Sequence, residues 1–234
     1  MSSEVLTETF LYIGPDKISF CIFEGIDKKI FEKDILISDF SEKENLDYLI
    51  DKFFEENIIK IEKKINKFIN DINLIIFDPN FVLIQASIKK NTTGKKINKK
   101  DLSHMLFDLK QKIKENNNDK KIIQMRINSF ILDKKEYLTL DDDFECCELC
   151  LQVDFICLSN KIIQELSEKM KKYQINIDRI FSAKYLKDHY SKYENNDCKN
   201  AARLKYENDE NEVFLIKKKT AKRGFFERFF SFFN

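Results

Sequence analysis

Four glycines in 234 residues, Gly14, Gly25, Gly94 and Gly224, set the narrowest limit on what this chain can build. A loop that wraps nucleotide phosphates needs backbone N–H groups brought close to the ligand, and glycine is what permits that approach. No two of these glycines are near neighbours in the chain, so a glycine-rich phosphate loop cannot be assembled. ATP is therefore not expected as a ligand, no cofactor is expected, and the chain reads as a non-enzyme without catalytic residues.

Charge is balanced, with 41 basic against 40 acidic side chains, so no global field drives the protein onto nucleic acid. Lysine, asparagine, isoleucine and phenylalanine are used heavily, the bias of an AT-rich genome, which strips isolated lysine runs of meaning. Lys89, Lys90, Lys95, Lys96, Lys99 and Lys100 surround Thr92-Thr93-Gly94 but lack interleaved aromatics for base stacking, and read as a solvated loop. The N-terminal stretch has no signal pattern and no segment is long enough to span a bilayer, so a cytoplasmic location with reduced cysteines is expected. Cys147 and Cys150 have zinc-like spacing, yet Cys146 and the remaining cysteines and histidines supply no second ligand pair. Small, half-buried hydrophobes are the simpler reading. His104 and His189 have no partner spacing for metal or nucleophile chemistry and read as surface residues.

Apolar periodicity organises the rest. Phe10 to Phe23 reads as strands around a Gly14-Pro15 turn, and Ile30 to Ile37 as another strand. Helical spacing runs from Leu46 to Phe68, as one helix or two broken near Asn57. Ile72 to Phe77 is a strand closed by Asp78-Pro79-Asn80. Asn98 and Asp101 form a capping pair for a helix striped by Leu102, Met105, Leu106, Leu109 and Ile113. Ile122 to Leu132 and Leu149 to Cys157 are strands, and Ile162 to Met170 marks a helix. Ser191 to Val213 is polar and charged, and reads as mostly linker with one helical turn at most near Ala201 to Tyr206.

The terminus is different. Phe225, Phe226, Phe229, Phe230, Phe232 and Phe233 fall on one helical arc of about 160° at roughly 100° per residue. Lys217, Lys218, Lys219, Lys222 and Arg223 precede it and Arg228 lies on its polar side. Six buried aromatics give a gross gain on the order of 10 kcal/mol. Helix ordering consumes much of that, and each nearby base adds about 1 kcal/mol on an anionic leaflet. These twelve residues are the candidate membrane-binding site, for an anionic surface that the segment is too short to cross.

The collinear order of these elements resembles the bacterial cell-division FtsA family, membrane-bound relatives of actin. Tyr12-Ile-Gly-Pro-Asp-Lys-Ile18 resembles the family's first phosphate-loop strand, and Ile97 to Leu102 the start of its inserted SHS2 subdomain. Ile122 to Asp133, with Phe130 and Asp133 closing it, resembles that subdomain's strand, and Leu151 to Ile180 its closing half. The tail is placed like the family's membrane-targeting helix. The departures fall on the nucleotide: Tyr12 stands where the family carries a metal-positioning Asp, Pro15 has no N–H to donate, and Asp16 repels phosphate.

The resemblance implies an α+β fold: a partial actin-like (ribonuclease H-like) first subdomain at 1–82 and an SHS2-like subdomain with return strand at 83–190. A flexible linker at 191–216 and a membrane-targeting amphipathic helix at 217–234 would follow. It further implies a non-catalytic scaffold on the inner face of the cell membrane at the division site. Partners would be septal proteins or the tubulin-like FtsZ, with self-association and no nucleic acid. The family's surface for FtsZ belongs to the missing second half. A shortened actin-like ATPase and a PilM-like pilus or secretion assembly platform are the alternatives, the latter sharing the architecture without such a tail.

Overall fold

The computed structural model describes residues 7–37, 46–140, 144–190, 196–206 and 211–213. It opens with β1 (Thr7–Ile13), β2 (Lys17–Glu24), β3 (Lys28–Leu36), α1 (Leu46–Ile65) and β4 (Asp71–Ile76). A second run comprises β5 (Val82–Asn91), β6 (Lys96–Ile97), α2 (Lys99–Asn116), β7 (Lys120–Leu132), β8 (Lys135–Tyr137), β9 (Phe144–Glu145) and β10 (Glu148–Ser159). The chain continues through α3 (Asn160–Lys172), β11 (Asn176–Ser182), α4 (Ala183–Tyr190) and α5 (Asp197–Tyr206).

β1, β2 and β4 each carry a continuous run of buried residues, 9–13, 18–23 and 72–76, because their sheet is covered on both faces. Its order is β11-β4-β1-β2-β3, with β2 antiparallel to both neighbours and β4 parallel to β1 and β11. Odd positions of β1, Leu11 and Ile13, pack with Phe20 and Ile22 under α1 and α3. Even positions, Phe10 and Tyr12, pack with Cys21 and Phe23 under α4 and α5. Phe20 sits fully buried among Phe31, Phe53 and Phe54, and Tyr173 stacks on Phe54 at 4.9 Å. α1 is a single helix through Asn57, which survives burial because Lys33 donates to its Oδ1 and its Nδ2 donates to the Phe53 carbonyl.

The other unit is half-solvated. β5-β10-β7-β8 form an antiparallel sheet whose alternation in β10 sends Leu149, Leu151, Val153, Phe155 and Cys157 toward α2. Gln85, Ser87, Gln152 and Asp154 occupy the opposite, polar face. The Asn98–Asp101 capping box that starts α2 forms as expected, with Asn98 accepting from Lys100 and Asp101.

Two expectations are corrected. Ile175 to Ile180 does not close the SHS2-like unit: β11 leaves it and pairs with β4, because its apolar residues fit the exposed edge of the first sheet. The residues binned as 83–190 therefore divide, with β5 to β10 and α2 forming the inserted unit while α3, β11 and α4 pack on the first sheet. The supposed linker at 191–216 also contains α5, whose Cys198, Ala201, Ala202 and Leu204 are buried against that sheet. Small residues let the helix lie close to the strands, so the stretch looks polar while its inner face fits. Lys205 fastens its end, reaching Glu8 at 2.5 Å and Asp178 at 2.9 Å, and Tyr206 donates to Glu8 at 2.7 Å. Ala201 is fully buried, so Ala201→Asp should cost roughly 3 kcal/mol or more in urea unfolding, the penalty of an unpaired buried charge. A linker would accept the change without loss.

Candidate functional site

In open sheets of this kind ligands sit at the carboxyl ends of parallel strands. Here that end of β1 runs into the Gly14-Pro15-Asp16 turn, and the turn is turned inward on itself. The Gly14 N–H donates to the Lys17 carbonyl at 3.0 Å, and the Asp16 carbonyl accepts from Ile37 at 2.8 Å. Pro15 has no N–H to offer. The Tyr12 ring lies directly over Gly14: a Cβ added there would come within 2.4 Å of the Tyr12 hydroxyl. Glycine is needed at position 14 to admit that ring, and neither Gly14 nor Pro15 has an N–H left to offer a phosphate. Burial pushes the Tyr12 hydroxyl up to about 12, with Asp197 and Asp16 adding to the effect, so it stays a neutral phenol. Beside it Phe81, just past β4, packs against both faces' cores.

A second feature joins the two units. The N-terminal half of β7 and the outer edge of β11 line opposite walls of a cleft, with Ile122, Ile123, Ile177 and Phe181 among its apolar surfaces. At its mouth the segment 211–213 pairs with β7: Ile127 N–H donates to the Asn211 carbonyl at 2.8 Å and Val213 N–H to the Met125 carbonyl at 2.9 Å. Between them Glu212 is opposite Arg126. Its side chain is 6% exposed, accepts from Arg126 Nη1 at 3.0 Å, and accepts from the Tyr185 hydroxyl on α4. One carboxylate thus ties the inserted sheet to a helix of the first unit. Burial pushes the Glu212 carboxyl up to about 7 against the pull of Arg126.

The sequence-derived sites are distributed elsewhere. All twelve candidate membrane-binding residues, between Lys217 and Phe233, lie outside the described residues. Lys89, Lys90, Lys95, Lys96 and Lys100 are exposed along and beside β5, and Lys89 pairs with Glu148 at 2.5 Å. Thr92 in that turn is buried instead, its N–H donating to the Cys147 carbonyl at 2.9 Å. Cys146 is buried beside Thr92 and its thiol is pushed up by burial, while Cys147 is exposed and Cys150 half-buried. Among the described residues no group of His, Cys, Asp or Glu is arranged to hold a metal ion. His104 is exposed on α2, and exposed His189 lies 4.4 Å from the Tyr185 ring. Sequence reading missed Arg126, Tyr185 and Glu212, which are far apart in the chain. The usable signal was the apolar run Val213-Phe214-Leu215-Ile216 directly after an otherwise polar stretch.

No family model and no curated protein matches this chain. Among solved structures it is similar to the cytoplasmic domain of EpsL, an inner membrane component of the type II secretion system of Vibrio cholerae. The identity there is 8%, the TM-score 0.36, and the match covers 77% of this chain and 57% of that one. It is also similar to a Bacteroides thetaiotaomicron protein of unknown function described as having an actin-like ATPase fold, at 15% identity and TM-score 0.34, covering 80% and 56%. A PilM–PilN type IV pilus biogenesis complex matches at 6% identity and TM-score 0.44, covering 78% and 49%. The chain spans about half the length of these structures. TM-scores this low leave the fold to be argued from the chain's own strand order.

The Glu212 clamp has a pH signature. A carboxyl whose folded pKa is raised contributes its full stability below its unfolded value near 4.5, and that contribution is lost as pH rises through about 7. The swing is on the order of 3 kcal/mol. Glu212→Gln keeps an acceptor but does not titrate. Unfolding free energies measured from about pH 4.5 to about pH 8 should therefore fall less steeply in the variant than in the wild type. Parallel curves would show that Glu212 is not buried as described.

Proposed function

We propose that this chain is a non-catalytic assembly platform: a partial actin-like first subdomain carrying an inserted SHS2-type unit, held at a membrane by its basic, phenylalanine-rich tail. The observation that carries the reading is the closed turn after β1, where Tyr12 covers Gly14 and the turn's N–H is spent on Lys17. What remains is surface, on two units fixed to one another through Glu212, Arg126 and Tyr185.

Further support for the actin-like reading comes from the insertion itself. The resemblance implies a unit set into the first subdomain, and β5 to β10 interrupt the chain between the adjacent strands β4 and β11. Among the described residues no helix is long and apolar enough to cross a membrane, and attachment through the tail rests on its own basic and phenylalanine-rich sequence. The division reading rests on that tail. Nothing in the described residues is particular to a division septum, and a pilus- or secretion-type platform fits the same two units equally well. In either setting the partners are proteins assembled at the membrane surface.

Flotation with anionic liposomes tests the tether. The full chain should float and a variant lacking residues 217–234 should not, the bound fraction falling about tenfold or more, with rising salt weakening what remains. Equal flotation of the two would refute membrane attachment through the tail.

A further inference from the structure

We propose that the outer edge of β5 is a self-association surface, on which a second copy of this chain pairs its own β5 in antiparallel fashion across a two-fold axis. β5 ends one side of the sheet order β5-β10-β7-β8 and pairs with β10 along its whole length. In an antiparallel ladder, alternate residues turn their N–H and C=O groups away from the neighbouring strand. On β5 no other strand meets those groups among the described residues. The other sheet edges are guarded. β3 carries Lys28, Lys29, Glu32, Lys33 and Asp34, β11 has Asp178 and Arg179 at its centre, and β8 is three residues long. Charge and shortness are the usual defences against an added strand. Residues 82–88 of β5 have neither: Val-Leu-Ile-Gln-Ala-Ser-Ile holds no charge, and Val82 and Leu83 are 37% and 57% exposed.

The strand's own sequence selects this occupant. Its charges gather at one end, Lys89 and Lys90, behind the uncharged run. A parallel copy would set those lysines beside their counterparts, whereas an antiparallel copy sets them opposite the apolar end. With Ala86 facing its counterpart, Ile84 lies opposite Ile88, Gln85 opposite Ser87 and Leu83 opposite Lys89. The faces match as well. Ile84, Ala86 and Ile88 pack on the core of the inserted unit, while Gln85, Ser87 and Lys89 are exposed, so this register joins like to like. The lysine stem then covers Leu83 of the other copy while its ammonium keeps Glu148 on β10, 2.5 Å away. Each copy spends its one open edge, so the pairing closes at two. A single strand pair buries well under the roughly 1,200 Å² of a standard interface, so the dimer is weak and concentration-dependent. The inference deepens the platform reading by naming one partner for its surface, and it is tested in solution, where attachment to lipid plays no part.

Analytical ultracentrifugation of the full chain without lipid, from about 5 μM to about 500 μM, should show a monomer–dimer equilibrium. Leu83→Lys sets an ammonium opposite Lys89 at both ends of the pairing and should weaken dimerisation about tenfold. Leu83→Glu, equally stripped of the leucine, should restore it at low salt and lose it again as salt rises. Leu83 is exposed, so both variants should keep the fold of the monomer, which circular dichroism checks. Amides within 83–89 should exchange more slowly as protein concentration rises. A chain that stays monomeric throughout would overturn the proposal. So would a dimer that both variants weaken alike, or one that leaves exchange at 83–89 unchanged, because association would then run through another surface.

Discussion

The parallel pairing of β4 with β11 is the constraint on which the rest of the structure depends. β4 ends at Ile76, and its neighbour in the sheet arrives only after the entire inserted unit has been built. Parallel neighbours require a crossover, and here an antiparallel sheet with its own core takes that place. The unit must leave and return at one edge of the first sheet, which sets β7 across from β11 and creates the cleft. α3 then has to pack beside α1, where Met170 and Tyr173 join the core. The same return brings Tyr185 on α4 within reach of Glu212.

The opposite face of the sheet explains why the turn after β1 is shut. Even-numbered residues of β1 point toward α4 and α5, so Tyr12 is drawn into that core together with Cys198 and Ala202. Once the ring is there it covers Gly14, whose N–H donates to the Lys17 carbonyl, while the Asp16 carbonyl accepts from Ile37 just past β3. α5 is held in place by Lys205, whose ammonium is divided between Glu8 and Asp178 in a nearly buried setting. Closure of this end is thus tied to packing of the α5 face, through Tyr12. The proposed platform role follows from that: the fold gives its buried volume to rigidity and its surface to contacts.

Local elements were readable from periodicity wherever one face or both faces are buried. The β1–β2 hairpin, β4, the capped α2 and the alternating β10 all fall where their patterns put them. What periodicity does not encode is which sheet a strand joins. β11 reads as a strand from Ile175-Asn-Ile-Asp-Arg-Ile180, yet its partner β4 is chosen by a tertiary edge far away in sequence. α5 was hidden for another reason: Cys198, Ala201 and Ala202 bury little area, so a well-packed helix looked like a polar tether. The clamp of Arg126, Tyr185 and Glu212 draws on three separate elements, and a buried carboxylate has no mark in a run of exposed ones. Of the site residues, only Tyr12, Gly14, Pro15 and Asp16 were legible, because the chemistry they lack is local.

Calorimetric titration of the full chain with Mg-ATP bears most directly on the proposal that this sheet does not take up nucleotide. No saturable heat is expected up to millimolar nucleotide. Stoichiometric binding in the micromolar range would contradict it, since it would require a phosphate to find N–H donors where Tyr12 and Pro15 now stand.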